Sequence, residues 1–347
     1  MKNIKVLSAV GLISLASSAA MAASGPTLGS LFDASGIQVN GAVAGSFRQN
    51  LSVPNPDQAK NAAQVDQALL SINYLPKQGF GAAVDIASGD YNDQSGNVGN
   101  PASGTKLSQA YLQYKSGSLT VQGGRFYTAA GYEVFPVVGN LFVSRSATFT
   151  GSTVAGAEFK GESSYHTGLR ATYAKSEALS LVLGVNDGIY DNLDNQPSVS
   201  KDKVIELGLN WKATSDISLN LSVNNGKTGP GGQRQSLYSL VATYSLSKDI
   251  NFALNYDRGN YDNTESGKWT AVALYGMYDL SDKVKLGVRL ENVTQRLESK
   301  KGTGGVAGVV SYAAAKNLDI RTEVSDVDVE GPTPRKMQAA VQGVLKF

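Results

Sequence analysis

The 347-residue sequence contains no cysteine and only one histidine. Without thiols there are no disulfide bonds, no thiolate metal ligands and no cysteine nucleophile. A surplus of charge is missing as well, because the formal net charge is only +2 and Lys2 and Lys5 near the N-terminus contribute as much. A nucleic-acid-binding protein concentrates basic residues on one face, so this composition gives no support to that class.

Long apolar runs are absent after the N-terminus, whereas a membrane-spanning helix needs about 18 or more consecutive apolar residues. The N-terminus has two lysines, a short apolar stretch from Val6 to Ala20, and small residues in Ala20-Met21-Ala22. This pattern is typical of a secretory signal peptide, and its apolar stretch is too short for a permanent span. We expect residues 1–22 to be a signal peptide and residues 23–347 to be the mature chain.

Apolar content is low for a chain of this length, at 41% of residues, and glycine is abundant at 38 residues. Apolar and polar residues alternate with period two in many segments, for example at 179–185, 217–224, 284–291 and 318–324. Such alternation indicates β-strands with one apolar and one polar face. A β-sandwich would show the same alternation, so the pattern alone does not place the apolar face in lipid.

A repeated hairpin separates these alternatives. Seven of the alternating runs have an aromatic residue near their end, a short polar turn follows each one, and an apolar residue begins the next run five or six positions later. The aromatic residues are Tyr74, Tyr114, Tyr173, Trp211, Tyr244, Tyr278 and Tyr312, with Phe347 at the end of the last run. Aromatic side chains favour membrane interfaces because their rings are apolar and their edges polar. We therefore predict an aromatic girdle at one membrane interface, beside short turns, with longer loops opposite.

Seven short turns, with both ends of the barrel on the same side, predict an all-β fold, a transmembrane antiparallel β-barrel of about 16 strands. Fourteen or eighteen strands stay open as alternatives. Closure is required because an open sheet edge would leave backbone groups unpaired in lipid. The last strand ends in Phe347 and resembles the segment that outer-membrane barrels present to the barrel-assembly machinery. The expected location is the bacterial outer membrane, surrounded by its lipids.

One interval between aromatic positions is much longer than the others, the 59 residues from Tyr114 to Tyr173. It contains residues 128–164, on the long-loop side of the predicted barrel. A connection of this length is either functional or disordered, and its many apolar residues favour a packed segment. Because a sixteen-strand barrel leaves a water-filled bore, we predict that this third extracellular loop folds inward and forms a constriction. An outward lid or adhesive tip stays open as the alternative.

The polar faces of the strands predict a charged lumen, since charges that faced lipid would be costly. The pore-lining or constriction candidates are Arg125, Glu133, Arg145, Glu158, Arg170, Glu206, Asp257, Arg289, Glu291, Arg321 and Glu323. Rings of fixed charge select among ions and small hydrophilic solutes. Both signs of charge are present, so the ion preference stays open.

Signals for catalysis and metal binding are weak. His166 has Ser164 nearby, but no third polar residue that would complete a nucleophile–base–orienter set. Asp187, Asp191 and Asp194 do not follow the spacing of a calcium-binding loop. We therefore expect no enzyme activity, no cofactor and no metal.

Four segments carry a resemblance to a known family: GIQVNG at 36–41, NLFVSRS at 140–146, YHTGLRATY at 165–173 and LVLGVNDG at 181–188. In these segments and, more weakly, to the C-terminus, the chain resembles the OmpL-like beta-barrel porin family of Gram-negative outer membranes. The family usually has Asn-Gly where Asn186-Asp187-Gly188 stands here, so the fourth loop departs from its pattern. The resemblance implies a porin-like barrel and transfers no catalytic residues.

Together these features predict an outer-membrane porin that forms a water-filled channel for passive diffusion of small hydrophilic solutes or ions. The alternative is a non-conducting surface barrel whose extracellular loops bind a partner. Sixteen-strand general porins are commonly trimers, so a homotrimer is expected by analogy of fold alone.

Overall fold

The computed structural model describes residues 35–52, 62–89, 105–150, 152–154, 157–159, 161–162, 164–189, 203–227, 234–260, 267–295, 301–329 and 336–347. The predicted signal peptide, residues 1–22, lies outside these described residues. Within them, no helix has the length and apolar content that crossing a membrane would require.

Sixteen antiparallel strands form a closed barrel, which confirms the predicted fold class. The barrel strands are β1 (Gln38–Asn50), β2 (Ala62–Tyr74), β3 (Gly79–Ser88), β4 (Lys106–Ser116), β5 (Leu119–Tyr127), β8 (Tyr165–Ala174), β9 (Leu179–Asn186), β10 (Val204–Lys212), β11 (Ile217–Lys227), β12 (Arg234–Ser245), β13 (Ile250–Asn260), β14 (Lys268–Asp279), β15 (Val284–Gln295), β16 (Lys301–Ala315), β17 (Leu318–Val329) and β18 (Lys336–Lys346). Two short strands, β6 (Ser152–Val154) and β7 (Ala157–Phe159), pair with each other between β5 and β8. The same connection contains a 3-10 turn (Val137–Gly139) and a short helix, α1 (Ala147–Thr150).

Each barrel strand pairs with its neighbours along the chain, and the first strand closes the ring with the last. At that seam, the Gly41 amide donates to the Phe347 carbonyl over 2.8 Å, and the Phe347 amide donates back to the Gly41 carbonyl over 2.9 Å. A closed ring has no unpaired edge, so the strands can lie in hydrocarbon without stranded backbone donors or acceptors.

The distribution of apolar and charged side chains between the two faces of the wall is the reverse of that in a water-soluble protein. Leu183 and Leu207 are 55% and 50% exposed, whereas the adjacent Glu206 and the inward Asp257 are fully buried. Large apolar side chains normally lie inside and charged ones outside. An apolar outer wall around a polar interior is the arrangement of a transmembrane barrel.

The aromatic residues of the repeat point outward at the short-turn end of their strands. Each is between 42% and 56% exposed; they are Tyr74, Tyr114, Tyr173, Trp211, Tyr244, Tyr278, Tyr312 and Phe347. Turns of two to four residues follow the seven aromatic strand ends, while the opposite ends of the strands carry the longer connections. All eight lie beside the short turns, and their place at a membrane interface stays a prediction.

A glycine lies against the Phe347 ring at the seam. A methyl group added at Gly41 would overlap the Phe347 ring, whereas at Gly308 it would meet no atom within 4 Å. We expect Gly41→Val to cost about 1–3 kcal/mol through overpacking and to reduce the folded fraction. Gly308→Val, also on the outer wall, is the matched control and should fold normally. The measurement is the heat-modifiable shift in gel mobility, and equal folded fractions for the two variants would contradict this role of Gly41.

Candidate functional site

The connection between β5 and β8 spans residues 128–164 and reaches the far side of the barrel. In the ring of sixteen strands, β15 is eight positions from β5, which is diametrically opposite. The Ala147 amide donates to Glu291 on β15 over 2.8 Å. On β17, Glu323 accepts from the Val143 amide over 2.6 Å and from the Ser144 amide over 3.1 Å. This segment therefore connects opposite walls through the polar side of the strands.

Arg289 is the central cation of this attachment. Its Nη1 lies 3.0 Å from Glu133 Oε1 in the loop, and its Nε lies 3.6 Å from Glu291 Oε2 on its own strand. The same guanidinium donates to the Ser144 carbonyl and hydroxyl over 3.0 and 2.9 Å, and its side chain is only 2% exposed. A buried guanidinium needs this number of acceptors because its desolvation is costly. Arg289 thus joins two loop residues to the barrel wall.

The loop is also held together internally. Asn140 donates its amide to the carbonyls of Val134 and Pro136 over 2.7 and 2.9 Å. Arg145 donates to the Phe135 carbonyl over 2.6 Å, and its guanidinium stacks on Phe149 at 4.7 Å from the ring centre. Backbone carbonyls that no strand partner satisfies are satisfied here by side chains.

A second attachment lies on the wall formed by β1, β2, β17 and β18. Arg48 pairs with Asp66 over 3.1 Å, and Gln342 donates to the same carboxylate over 2.6 Å. Arg321 donates to Gln342 over 3.2 Å and to the Val137 carbonyl of the loop over 3.3 Å. This network links four strands to the 3-10 turn of the loop.

Arg170 and Glu206 form a separate ion pair on β8 and β10. The guanidinium donates twice to the carboxylate, over 3.0 and 2.7 Å, and lies 4.0 Å from the centre of the Phe126 ring. Arg170 also donates to the Tyr127 carbonyl over 3.0 Å, at the point where β5 ends. The bidentate pair therefore fixes the backbone at Tyr127, where the connection from β5 to β8 begins.

Two acidic residues, Glu162 and Asp257, meet at the other end of the loop, where no described residue forms an ion pair with either of them. Asn255 donates to Glu162 and to Asp257, over 2.7 Å in each case. Burial raises the pKa of Glu162 well above its ordinary value, and the adjacent Asp257 raises this pKa further. The raised pKa favours the protonated form of Glu162 next to its acidic neighbour.

Ten of the eleven predicted lumen residues are considered first, and they occupy three kinds of position. Six surround the loop attachments: Glu133, Arg145, Arg289, Glu291, Arg321 and Glu323. Arg170 with Glu206, and Asp257 with Glu162, form the two other inner contacts. The backbone of Glu158 lies in β7, but its side chain lies outside what the structure describes.

Arg125 was predicted to line the lumen, but it lies on the outer wall. It pairs with Thr167 on the face that carries the exposed Val121 and Leu169, so it points away from the lumen. Its guanidinium stacks on Tyr165 at 4.6 Å and donates to the Leu107 carbonyl over 2.9 Å. The reason is parity, because Arg125 is an even number of positions from the outward Leu119.

Sequence reasoning missed three residues of the inner network: Asp66, Glu162 and Gln342. Asp66 is turned inward by a bulge, since the register of β1 and β2 shifts between Ala44 and Gly45 and leaves Asp66 unpaired. Glu162 lies in a loop, where no alternation exists. Only Gln342, on the polar side of the last strand, carried a readable signal.

The residues considered for catalysis and metal binding occupy ordinary positions where the structure describes them. His166 is buried, with its ring nitrogens 3.2 Å from the Thr128 hydroxyl and 3.1 Å from the Gly188 carbonyl. Across the described ranges, no cluster of three or more histidine or acidic side chains has the geometry of a metal site. Asp191 and Asp194 lie outside those ranges.

A closed sixteen-strand barrel with an apolar outer wall and a charged interior defines a porin-type β-barrel of the bacterial outer membrane. The chain belongs to the family described as "Putative beta-barrel porin-2, OmpL-like", whose model matches residues 36–338. Among curated proteins, no sequence matches this chain.

Solved structures of similar fold are outer-membrane barrels. Pseudomonas putida OprB, in its high-pH structure, has a TM-score of 0.68 at 12% identity and covers 91% of this chain and 96% of its own. The outer membrane channel DcaP of Acinetobacter baumannii has a TM-score of 0.63 at 13% identity, with 90% and 97% covered. Vibrio cholerae OmpT, in a trimer form, has a TM-score of 0.60 at 13% identity, with 90% and 99% covered. At these identities the likeness is one of fold.

Removal of the central cation tests the loop attachment. In Arg289→Met the buried Glu133 and Glu291 lose their partner, at a cost of about 3–5 kcal/mol. We expect the loop to detach while the barrel persists, so hydrogen exchange of amides 142–147 should accelerate more than about tenfold. Arg258→Met changes an exposed arginine on the outer wall and is the matched control. Unchanged exchange in Arg289→Met would show that the loop is held by other contacts.

Protonation of Glu162 tests the other end of the loop. Because its pKa in the folded protein is raised, the stability it contributes is present below its ordinary value of 4.5 and is lost as pH rises through the raised pKa. Relative to Glu162→Gln, which is neutral at every pH, the wild type should lose thermal stability as pH increases. Glu177→Gln, at an exposed turn, is the control and should follow the wild type. If the melting temperatures of the wild type and Glu162→Gln changed equally with pH, the raised pKa of Glu162 would be contradicted.

Proposed function

We propose that this porin is a passive diffusion channel for small hydrophilic solutes or ions, narrowed by residues 128–164. The observation that carries the proposal is the contact of this segment with Glu291 and Glu323, on the wall opposite its root. A segment that crosses the interior of a wide barrel reduces the cross-section through which solutes pass.

The inner wall supports weak selectivity. Some of its buried charges occur as opposite pairs, such as Arg48 with Asp66 and Arg170 with Glu206, and the fields of these pairs cancel locally. Half-buried amide side chains continue along the inner faces of neighbouring strands, where Asn210 donates to Ser180 over 3.2 Å. Neutral polar groups hydrate a channel without favouring one sign of charge.

A specific observation favours the alternative, a barrel whose bore is blocked and whose loops bind a partner. Arg289 and Glu323, on the inner wall beneath the loop, are only 1% and 2% exposed, so solvent barely reaches them. If the same packing extended across the whole bore, no continuous water path would exist. Conductance measurements distinguish the open channel from the blocked barrel.

The remaining features of the proposal concern processing and assembly. Residues 1–22 would be removed on secretion, and the last strand with Phe347 would engage the barrel-assembly machinery. The aromatic girdle would fix the depth of the barrel among outer-membrane lipids. A homotrimer is supported only by fold, through the trimer form of Vibrio cholerae OmpT.

A non-enzymatic role is part of the same proposal. The ring of His166 is buried, and its two nitrogens face the Thr128 hydroxyl and the Gly188 carbonyl. We expect His166→Ala to change stability but not to remove any hydrolytic activity.

Planar-bilayer recording tests the function. The purified chain should give stable open steps with small reversal potentials in a salt gradient, grouped in threes if it is a homotrimer. Deletion of residues 132–146 removes most of the wall contacts and should increase the conductance, because the bore widens. A folded protein that conducts only after this deletion would favour the blocked barrel, and one that never conducts would exclude the channel.

A further inference from the structure

A row of basic side chains lies on the outer wall, at the long-loop end of β10 to β13. Lys203, Lys227, Arg234 and Arg258 are all exposed. Lys227 and Arg234 are direct cross-strand partners, and Arg258 is opposite the outward-facing Tyr238. These four residues are named here the basic row. They point away from the lumen, so channel selectivity does not explain them.

The basic row has a common height. Its members are eight or ten positions along their strands from the residues at the short-turn end, such as Lys203 from Trp211 and Arg234 from Tyr244. With about 3.3 Å per residue and a tilt near 40°, this separation corresponds to about 20–25 Å across the membrane. That distance is the height of the apolar band of an outer-membrane barrel. The basic row therefore lies at the second interface, on the side of the longer loops.

Apolar side chains occupy the wall directly below the basic row. Ile205, Leu207, Leu221 and Tyr256 are between 37% and 50% exposed on the same outer face. Such a surface accommodates acyl chains, while cations at its upper border meet the headgroups. The combination distinguishes a lipid-binding surface from a merely solvated charged edge.

Acidic partners are scarce at the basic row. Within the described ranges, Lys227, Arg234 and Arg258 make no ion pair, and Lys203 pairs with Asp187. Arg234 donates twice to the neutral Asn225 amide oxygen, over 2.9 and 2.7 Å, which orients its guanidinium along the wall. Among the described residues, three of the four cations therefore have no acidic partner.

The cations also border a recess. Lys203, Lys227 and Arg234 line an outward crevice of about 270 Å³, together with Asn225 and Gly226. A phosphate group fits this volume and could accept charge-assisted hydrogen bonds from three cations. Two residues on the outer face of β17, Asp326 and Asp328, place the opposite charge at the same end of the barrel. The basic row is therefore a sector of the wall and not a complete ring.

From this juxtaposition we infer that the outer wall at β10 to β13 binds the phosphorylated headgroup of an anionic lipid in the outward leaflet. The cations contact the phosphate, and the apolar wall below contacts the acyl chains. The same cations would attract inorganic phosphate, but only a lipid uses both parts of the surface. The inference is independent of conduction, because the basic row and the lumen are on opposite faces.

Lipid binding by the detergent-purified full chain tests the inference. The probe is diphosphoryl lipid A, with monophosphoryl lipid A and inorganic phosphate as comparison ligands, and the readout is bound lipid counted by native mass spectrometry. The variant is Lys227→Gln/Arg234→Gln/Arg258→Gln. The matched control, Lys212→Gln/Lys248→Gln/Lys316→Gln, removes three exposed cations at the short-turn end.

At low salt the triple variant should bind diphosphoryl lipid A about 100-fold more weakly, since each cation near an anionic surface contributes about fivefold. The control should stay within about twofold of wild type, and monophosphoryl lipid A should bind wild type more weakly than the diphosphoryl form. Equal lipid binding by the triple variant and the control would overturn the inference. Inorganic phosphate binding as tightly as the lipid would overturn it too, because the acyl contacts would then contribute nothing.

A conductance control and a set of single variants complete the test. The triple variant should give the same open steps in planar bilayers as wild type, because its changes are on the outer wall. If it failed to fold, the three single variants would replace it, each with an expected loss of about fivefold. Single variants indistinguishable from wild type would then count against the lipid site.

Discussion

Within hydrocarbon, every backbone donor and acceptor must find a partner in the protein, because no water is present to replace one. In this chain the requirement is met by a ring in which β1 pairs with β18, and Gly41 and Phe347 exchange two hydrogen bonds at the seam. Because the ring is one layer thick, each strand has a lipid face and an interior face. Leucines are then exposed on the lipid face, while glutamates next to them are buried on the interior face.

The interior follows from the same geometry. A ring of sixteen strands is too wide for side chains alone to fill, so a segment of the chain must occupy part of it or water must. The connection between β5 and β8 contacts Glu291 and Glu323 of the wall, and it carries backbone groups that no strand satisfies. Charged side chains of the wall, above all Arg289 and Glu323, satisfy those groups. These charged side chains therefore fix the connection to the wall.

On the outer wall, the type of side chain changes along the membrane normal. Aromatic side chains lie at the short-turn end, apolar side chains occupy the middle, and the basic row lies at the long-loop end on one sector. The same parity that places Glu206 inside places Lys203 outside. Arg125 obeys this parity too, which is why it contacts Tyr165 on the outer wall and not a solute in the lumen.

The amino-acid sequence by itself determined the strands, their outward and inward faces, the aromatic positions and the length of the third connection. These properties depend on period-two alternation and on turn spacing, which are local. Only the tertiary structure decided which charges meet. The partners Glu133 and Arg289 are 156 residues apart, Asp66 is turned inward by a bulge, and Glu162 meets Asp257 at the loop end. Contacts across a closed ring depend on register and curvature, and no short segment of sequence encodes either.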